Sequence, residues 1–209
     1  MKFDNVIFDF DGTLADTSRG VLGSVRYALE TLGVPVPDES VLRGFIGPSL
    51  YTSFTGITGL DDERANEAIE LYRSVYNPRG VYECELYDGM KELLSELKQN
   101  GVSLSVASSK PQNALDKVVD HLGIREYFDR VIGADPSVKH DDKAELVAAA
   151  RTRENAVMIG DSRFDIEAAK KVGIKSIAAG YGFTAKEKLL ALDPDYYADS
   201  VSDIARILE

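Results

Sequence analysis

The stretch Val-Ile-Phe-Asp-Phe-Asp-Gly-Thr-Leu at residues 6–14 is the most informative part of the chain. It begins with the short apolar run Val6–Phe8, which is typical of a parallel-sheet strand buried on both faces. Two carboxylates, Asp9 and Asp11, follow directly, and Gly12 allows the backbone to turn sharply. Because ligands of open α/β sheets bind beyond the carboxyl ends of the strands, we expect both acids at a functional edge.

Similar apolar runs recur along the chain, with helical patterns between them. The runs are 104–107, 131–132, 156–159 and 176–179. The helical patterns repeat apolar residues every three or four positions, and each stops at a glycine: Gly101, Gly123 and Gly173. This alternation predicts an α/β protein with a doubly wound, Rossmann-like parallel sheet.

The segment from residue 16 to residue 81 differs from the rest of the chain. It has no buried-strand run, and helical patterns cover residues 21–32 and 61–76. Glycine and proline interrupt it at three places. We therefore predict a small α-helical domain at residues 16–81, inserted into a core domain made of residues 1–15 and 82–209.

Composition limits the possible partners and compartments. The chain has 209 residues and a net charge of −11, so a nucleic-acid polymer would be repelled. No apolar stretch approaches the length of a membrane span, and early acidic residues interrupt any signal-peptide pattern. A single cysteine excludes an internal disulfide. We expect a cytoplasmic protein that avoids membranes and is a monomer or a homodimer.

A second group of acids follows a later strand. Asp161 comes directly after the apolar run 156–159 and Gly160, and Asp165 lies four residues further on. The two share one face if a helix has begun by then. Carboxylates that converge at one sheet edge repel each other, and a cation relieves that repulsion. Oxygen ligands suit Mg²⁺, which in turn favours phosphate substrates.

These features together resemble the haloacid dehalogenase-like superfamily, specifically its phosphatases with an inserted helical cap. Residues 6–14 match the first motif of that family, and Gly160–Asp165 resembles the fourth. Ser108, at the end of the run 104–107, resembles the second motif, whose hydroxyl binds a phosphoryl oxygen. The third motif is a phosphate-binding lysine. Lys139 and Lys143 are both candidates, and Lys143, which begins a Lys-Ala-Glu helix, is preferred.

The resemblance implies a two-step reaction. Asp9 attacks phosphorus and forms an aspartyl phosphate, while Asp11 first protonates the leaving oxygen and then deprotonates the hydrolytic water. The implied phosphate-binding residues are Ser108, Ser109 and Lys143. The implied Mg²⁺ ligands are Asp9, the backbone carbonyl of Asp11, and Asp161. Asp165 is expected as a further ligand or as support for the metal site or Lys143, and Lys110 as a supporting or surface residue.

The prediction of the substrate rests on the inserted helical segment. Residues 42–50 resemble the substrate-facing loop of phosphoglycolate phosphatases and of bacterial 5'-nucleotidase-like members. Arg43 would bind a substrate carboxylate or phosphate there; alternatively it is a surface residue or pairs with Asp38 or Glu39. 2-Phosphoglycolate is the leading substrate, followed by nucleoside monophosphates. The loop 181–183 is expected at the same sheet edge as the acids.

Three rival functions remain open on the sequence alone. A dehalogenase of the same superfamily has no need of a second carboxylate such as Asp11 to protonate an alkoxide. A sugar-phosphate mutase of the β-phosphoglucomutase type uses the same motifs but keeps the phosphoryl group for transfer. A non-catalytic module on this fold is also possible in principle, since a fold does not fix a function.

Overall fold

The computed structural model describes residues 1–135 and 142–209. Within these ranges, six strands form one parallel sheet in the order β5-β4-β1-β6-β7-β8, and two short strands form a separate sheet. The strands are β1 (Asn5–Phe8), β2 (Ala15–Asp16), β3 (Glu85–Leu86), β4 (Ser103–Pro111), β5 (Arg130–Ala134), β6 (Ala156–Gly160), β7 (Lys175–Ala179) and β8 (Tyr196–Ala198).

The chain divides into two compact units. One unit contains Met1–Asp16 and Leu86–Glu209, and the other contains Thr17–Glu85. The helices of the second unit are α1 (Ser18–Thr31), α2 (Glu39–Leu42), α3 (Leu50–Thr58) and α4 (Asp62–Tyr76). Those of the first are α5 (Met90–Gln99), α6 (Gln112–His121), α7 (Lys143–Ala150), α8 (Arg163–Val172), α9 (Lys186–Leu190) and α10 (Val201–Leu208).

The core of the first unit surrounds β1, the strand that carries the opening motif. Ile7 is fully buried and packs in one cluster with Ala107 of β4, Met158 of β6 and apolar residues of α7 and α8. Full burial of a side chain of this size contributes roughly 1.5–3 kcal/mol. Because β1 lies between β4 and β6, the residues that follow these three strands meet at one edge.

The second unit is helical and has its own aromatic core. Helices α1 and α4 pack against each other, and α3 packs against α4. Phe45 and Phe54 meet edge to face with ring centroids 5.0 Å apart, and Tyr72 stacks on Tyr76 at the same distance. Burial of these aromatic rings gives the unit a core that does not depend on the sheet.

The predicted fold class is confirmed: the sheet is parallel and helices flank it. Each predicted strand run lies within a strand, although β4 extends four residues beyond Ala107. Strand β8 was not predicted, because Tyr196 and Tyr197 are only half-buried at the sheet edge and give no apolar run. No helix among residues 1–135 and 142–209 has the length and apolar character needed to cross a membrane.

Candidate active site

Strands β1 and β6 bring Asp9 and Asp161 side by side. Phe8 is paired with Ile159 in the parallel ladder, and the Asp9 amide donates to the Ile159 carbonyl oxygen at 2.8 Å. Asp9 therefore continues the ladder, and Asp161 directly follows the last residue of β6. The carboxyl ends of adjacent parallel strands lie together, as the sequence predicted.

Asp9, Asp161 and Asp165 form a buried acid cluster. One carboxylate oxygen from each lies within 4.8 Å of the others, and the exposed fractions are 6%, 3% and 0%. Burial, reinforced by Asp165 and Asp11, raises the pKa of Asp9 to about 7, although Lys143 opposes the shift. Burial and the two neighbouring carboxylates raise the pKa of Asp161 well above its ordinary value. The raised pKa values of Asp9 and Asp161 mean that either protonation or binding of a cation would stabilise the cluster.

Lys143 is buried against this cluster. Its Nζ lies 2.6 Å from Asp9 Oδ1 and 3.0 Å from Asp165 Oδ1. Burial alone would lower the pKa of the lysine, but Asp165 and Asp9 raise it above its ordinary value. Lys143 therefore stays positively charged beside Asp9. The ammonium of Lys143 stands against the three carboxylates of the cluster. When all four groups are ionised, their net charge is negative.

The beginning of α7 sets the position of Lys143. The Asp142 side chain caps the helix by accepting a hydrogen bond from the Ala144 amide at 2.9 Å. Lys143 is the first residue of the helix and points back to the sheet edge, where it meets Asp9. The other lysine considered for this role, Lys139, lies outside the described residues.

Asp165 is held by the first turn of α8. Its Oδ2 accepts hydrogen bonds from the Ser162 amide at 3.1 Å and from the Ser162 hydroxyl at 2.6 Å. The helix begins at Arg163, so Asp161 precedes it. The condition under which Asp161 and Asp165 would share one helix face is therefore not met. The two acids meet because the chain turns between them, and Asp165 then links Ser162 to Lys143.

The loop after β7 binds one carboxylate oxygen of Asp161. The Phe183 amide donates to Asp161 Oδ2 at 2.7 Å, and the Tyr181 hydroxyl donates to the Thr13 carbonyl oxygen at 3.0 Å. A Cβ on Gly182 would lie 2.3 Å from the Asp161 Cβ, so only glycine fits there without displacement. The loop orients Asp161, a contribution that came from a backbone amide and was not predicted.

Ser108 and Ser109 lie in β4, beside β1. Val106 pairs with Phe8, so Ser108 stands at the same sheet edge as Asp9. Ser108 is buried, and its hydroxyl oxygen accepts a hydrogen bond from the Lys110 amide at 3.2 Å. Ser109 is half-buried. The serines thus occupy the predicted strand end, where the role of Ser108 as a phosphate ligand stays a prediction.

The side chain of Asp11 lies outside the acid cluster and forms an ion pair with Lys110. Asp11 Oδ1 lies 3.1 Å from Lys110 Nζ, and both side chains are largely buried. Lys110 is therefore not a surface residue, one of the two positions expected for it. The opening motif places its two carboxylates in different surroundings: Asp9 among acids and Asp11 beside a lysine.

Arg43 belongs to the helical unit, in a 3₁₀ turn at residues 43–45. Its guanidinium lies 3.5 Å from Glu39 Oε1, and both side chains are about half exposed. This is the pairing with Glu39 that the sequence offered as an alternative to a substrate contact. A pair so exposed contributes little to stability, so it leaves the arginine available for a ligand. Its role in substrate binding stays a prediction.

Comparison with known proteins supports the fold and the motifs. Residues 6–179 match the family model described as haloacid dehalogenase-like hydrolase. A 5'-nucleotidase from Pseudomonas aeruginosa is 34% identical over 100% of this chain and 97% of its own length. A phosphoglycolate phosphatase from Vibrio parahaemolyticus is 31% identical over 97% of this chain and 95% of its own.

Solved structures give the same fold. A predicted phosphatase from Clostridium acetobutylicum is 35% identical, with a TM-score of 0.92 and coverage of 100% and 99% of the two chains. The Protein Tyrosine Kinase A structure of Mycobacterium tuberculosis is 32% identical, with a TM-score of 0.85 and coverage of 99% and 98%. With the matched motifs and the geometry of the sheet edge, these findings confirm that the chain belongs to the haloacid dehalogenase-like hydrolases.

Proposed function

We propose that the chain is a Mg²⁺-dependent phosphatase that works through a phosphorylated Asp9 and acts on a small phosphate ester, with 2-phosphoglycolate as the leading substrate. The enzyme is a phosphoric monoester hydrolase of its family. The observation that carries the mechanism is the separation of the two motif carboxylates. Asp9 lies in the acid cluster with Lys143, and Asp11 is paired with Lys110 outside it.

The acid cluster has the donor set that Mg²⁺ requires. Three buried carboxylates supply hard oxygen ligands within 4.8 Å of one another. Burial and the neighbouring carboxylates raise the pKa values of Asp9 and Asp161, and a cation would offset both effects. Asp9 and Asp161 would hold the ion together with the Asp11 backbone carbonyl, and Asp165 would complete or support the site. When bound, Mg²⁺ would offset negative charge on the nucleophile and the phosphoryl oxygens.

The first half-reaction transfers the phosphoryl group to Asp9. A carboxylate oxygen of Asp9 attacks phosphorus, and the bond from phosphorus to the ester oxygen breaks. Asp11 gives its proton to that departing oxygen. Lys143 and the Ser108 hydroxyl would bind the equatorial phosphoryl oxygens, whose charge they neutralise.

The second half-reaction releases phosphate. Asp11, now ionised, takes a proton from water, and the water oxygen attacks phosphorus. The bond between phosphorus and the Asp9 oxygen breaks, which returns Asp9 to its carboxylate form and leaves inorganic phosphate. Asp11 is paired as a carboxylate with Lys110 in the structure, so it takes up one proton before the first half-reaction. It ends the cycle protonated, and later cycles need no further proton donor.

The substrate assignment has two supports. The loop 42–50 resembles that of phosphoglycolate phosphatases, and a relative over nearly the full length carries that name. Arg43 is exposed and weakly paired, as a residue that binds a second anionic group on the substrate should be. Nucleoside monophosphates are the second candidate, because the relative from Pseudomonas aeruginosa is named a 5'-nucleotidase.

A phosphate-release assay with and without Mg²⁺ tests the proposal. The enzyme should release phosphate from 2-phosphoglycolate faster than from nucleoside monophosphates, and chelation of Mg²⁺ should stop the reaction. Asp9→Asn should lower kcat by at least about 10⁴-fold while keeping the circular-dichroism spectrum, because it removes the nucleophile but not the ladder hydrogen bond. Asp199→Asn, at an exposed pair with Lys186, makes the same change of side chain and serves as the control.

Four results would contradict the proposal. Wild-type rates from Asp9→Asn would remove the nucleophile assignment, and release unaffected by chelation would remove the metal. Accumulation of an isomeric phosphate in place of free phosphate would indicate a mutase. The name of the Mycobacterium tuberculosis protein makes a tyrosine-containing peptide with ATP a necessary further assay. Phosphate transfer to that peptide faster than ester hydrolysis would indicate a transferase.

A further inference from the structure

Lys110 is a buried lysine that takes no part in the mechanism given above. Its Nζ lies 3.1 Å from Asp11 Oδ1, and the two side chains are only 5% and 12% exposed. Placing an ammonium in such surroundings is costly unless a carboxylate is close to it. The contact therefore restricts both side chains much more than a solvent-exposed ion pair would.

A bulge in β4 directs Lys110 toward Asp11. Ser108 pairs with Gly133 of β5, but the next pairing joins Pro111 to Ala134, so Ser109 and Lys110 are extra residues on β4. Bulges bend a strand and redirect its side chains, and they are frequent next to active sites. The hydrogen bond from the Lys110 amide to the Ser108 hydroxyl stabilises the bulged conformation.

Gln112 fills the break that the bulge leaves in the ladder. Its Oε1 accepts a hydrogen bond from the Gly133 amide at 2.6 Å, and its Nε2 donates to the Val131 carbonyl oxygen at 3.2 Å. A Cβ on Gly133 would lie only 2.8 Å from the Lys110 carbonyl oxygen, so the two strands approach closely there. The hydrogen bonds of Gln112 and the close approach of Gly133 thus fix the bulge. They also fix the direction in which the Lys110 side chain points.

We propose that Lys110 is a positioning residue for Asp11, which it holds at the place where the leaving oxygen departs and the hydrolytic water arrives. The inference rests on the proposed function, in which Asp11 transfers both protons. Misplacement of a reacting group by about 1 Å costs about 100-fold in rate. Loss of the Lys110 contact should therefore slow the steps that need Asp11 and spare those that do not.

The dependence of rate on the leaving group separates these two kinds of step. The ratio kcat/KM includes only the steps through departure of the leaving group. Phenyl phosphate and p-nitrophenyl phosphate have the same ring, but p-nitrophenolate departs readily without a proton and phenolate does not. A defect in Asp11 therefore appears as a greater loss with phenyl phosphate, whereas a general loss of folded or active enzyme affects both substrates equally.

The test compares Lys110→Met, which keeps the side-chain length but removes the charge, with Lys110→Arg and with Lys98→Met as a surface control. For Lys110→Met we expect kcat/KM to fall about 100-fold with phenyl phosphate and about tenfold or less with p-nitrophenyl phosphate. Lys110→Arg should show the same pattern at smaller magnitude, because it keeps a cation in a different shape. If Lys110→Met fails to fold, Lys110→Arg carries the comparison.

A double variant decides whether Lys110 acts through Asp11. In an Asp11→Asn background, Lys110→Met should cause little further loss, because the group it positions is already gone. Equal losses with both substrates, or additive losses in the double variant, would overturn the inference. So would a weaker inhibition by inorganic phosphate, which would make Lys110 a phosphate ligand. Wild-type rates from Asp11→Asn alone would instead refute the proposed function.

Discussion

The acid cluster and the Asp11–Lys110 pair each contain one carboxylate of the opening motif, yet their charges are balanced in opposite ways. The cluster has three carboxylates against the ammonium of Lys143, and the pKa values of Asp9 and Asp161 are raised. The pair has one carboxylate against one ammonium. An excess of negative charge would attract a metal ion, whereas a balanced pair keeps a carboxyl group in a fixed place. The proposed function rests on this difference, because it gives the nucleophile to one region and the proton transfer to the other.

The largest effect should come from removing a carboxylate of the cluster. Asp161→Asn should weaken Mg²⁺ binding by about 100-fold or more, because it removes a charged ligand from an otherwise intact site. Asp11→Asn should leave the Mg²⁺ affinity within about threefold, since that aspartate is expected to bind through its backbone carbonyl and not its side chain. Isothermal titration calorimetry with Mg²⁺ measures both.

Asp199→Asn, at an exposed pair with Lys186, is the control for the change in net charge. If Asp11→Asn weakened Mg²⁺ binding as much as Asp161→Asn does, the two regions would form one site, and the comparison would be wrong.

A smaller effect is expected from the loop that orients Asp161. Gly182→Ala places a methyl group against Asp161 and the Gly12 carbonyl oxygen, so the loop or the carboxylate must move. We expect about tenfold weaker Mg²⁺ binding, and no change in the ratio of rates with phenyl and p-nitrophenyl phosphate. The same titrations and assays read out both quantities. A change in that ratio would show that the loop also acts on Asp11.

The smallest effect is a pH-dependent gain in thermal stability from Mg²⁺. The pKa of Asp9 is raised from 3.8 to about 7, so between these values the metal-free folded state binds more protons than the unfolded chain. Stability of the metal-free protein therefore falls as pH rises through this window. Mg²⁺ binds the deprotonated carboxylates, so its benefit grows with pH.

At a saturating concentration of Mg²⁺ the melting temperature should rise by about 5 °C at pH 8, and by clearly less at pH 5.5. Differential scanning calorimetry at the two pH values tests this. The Asp161→Asn variant, which lacks a ligand, should lose most of the gain. An equal gain at both pH values would show that the carboxylates are already ionised in the metal-free protein.

The part of the site that follows strand ends could be predicted from the sequence. Strands β1 and β6 end close to where an apolar run stops in the sequence, and parallel strands bring such ends together. Asp9 and Asp161 are located in this way, whereas Ser108 is identified by its resemblance to the second motif of the family. Lys143 was placed by its position at a helix start together with the family resemblance.

The remaining parts depend on geometry that has no pattern in the sequence. The β4 bulge turns Lys110 inward, and a bulge changes neither composition nor apolar spacing enough to be recognised. The contact to Asp161 comes from the Phe183 amide, which every residue type except proline could supply. Whether Asp161 lies inside the following helix could not be decided from the sequence, because helix starts are uncertain by one or two residues.

The hydrogen bond from the Asp9 amide to Ile159 has a consequence for how such enzymes diversify. It makes the proposed nucleophile an extension of the central strand, so a phosphoryl group carried on Asp9 would have no means of travelling to a distant acceptor. Every acceptor must come to it instead. Water, a sugar hydroxyl and a tyrosine side chain differ in size and in the path they need, while the carrier stays the same. In the proposed reaction, the product would then depend on which acceptor can reach the phosphoryl group.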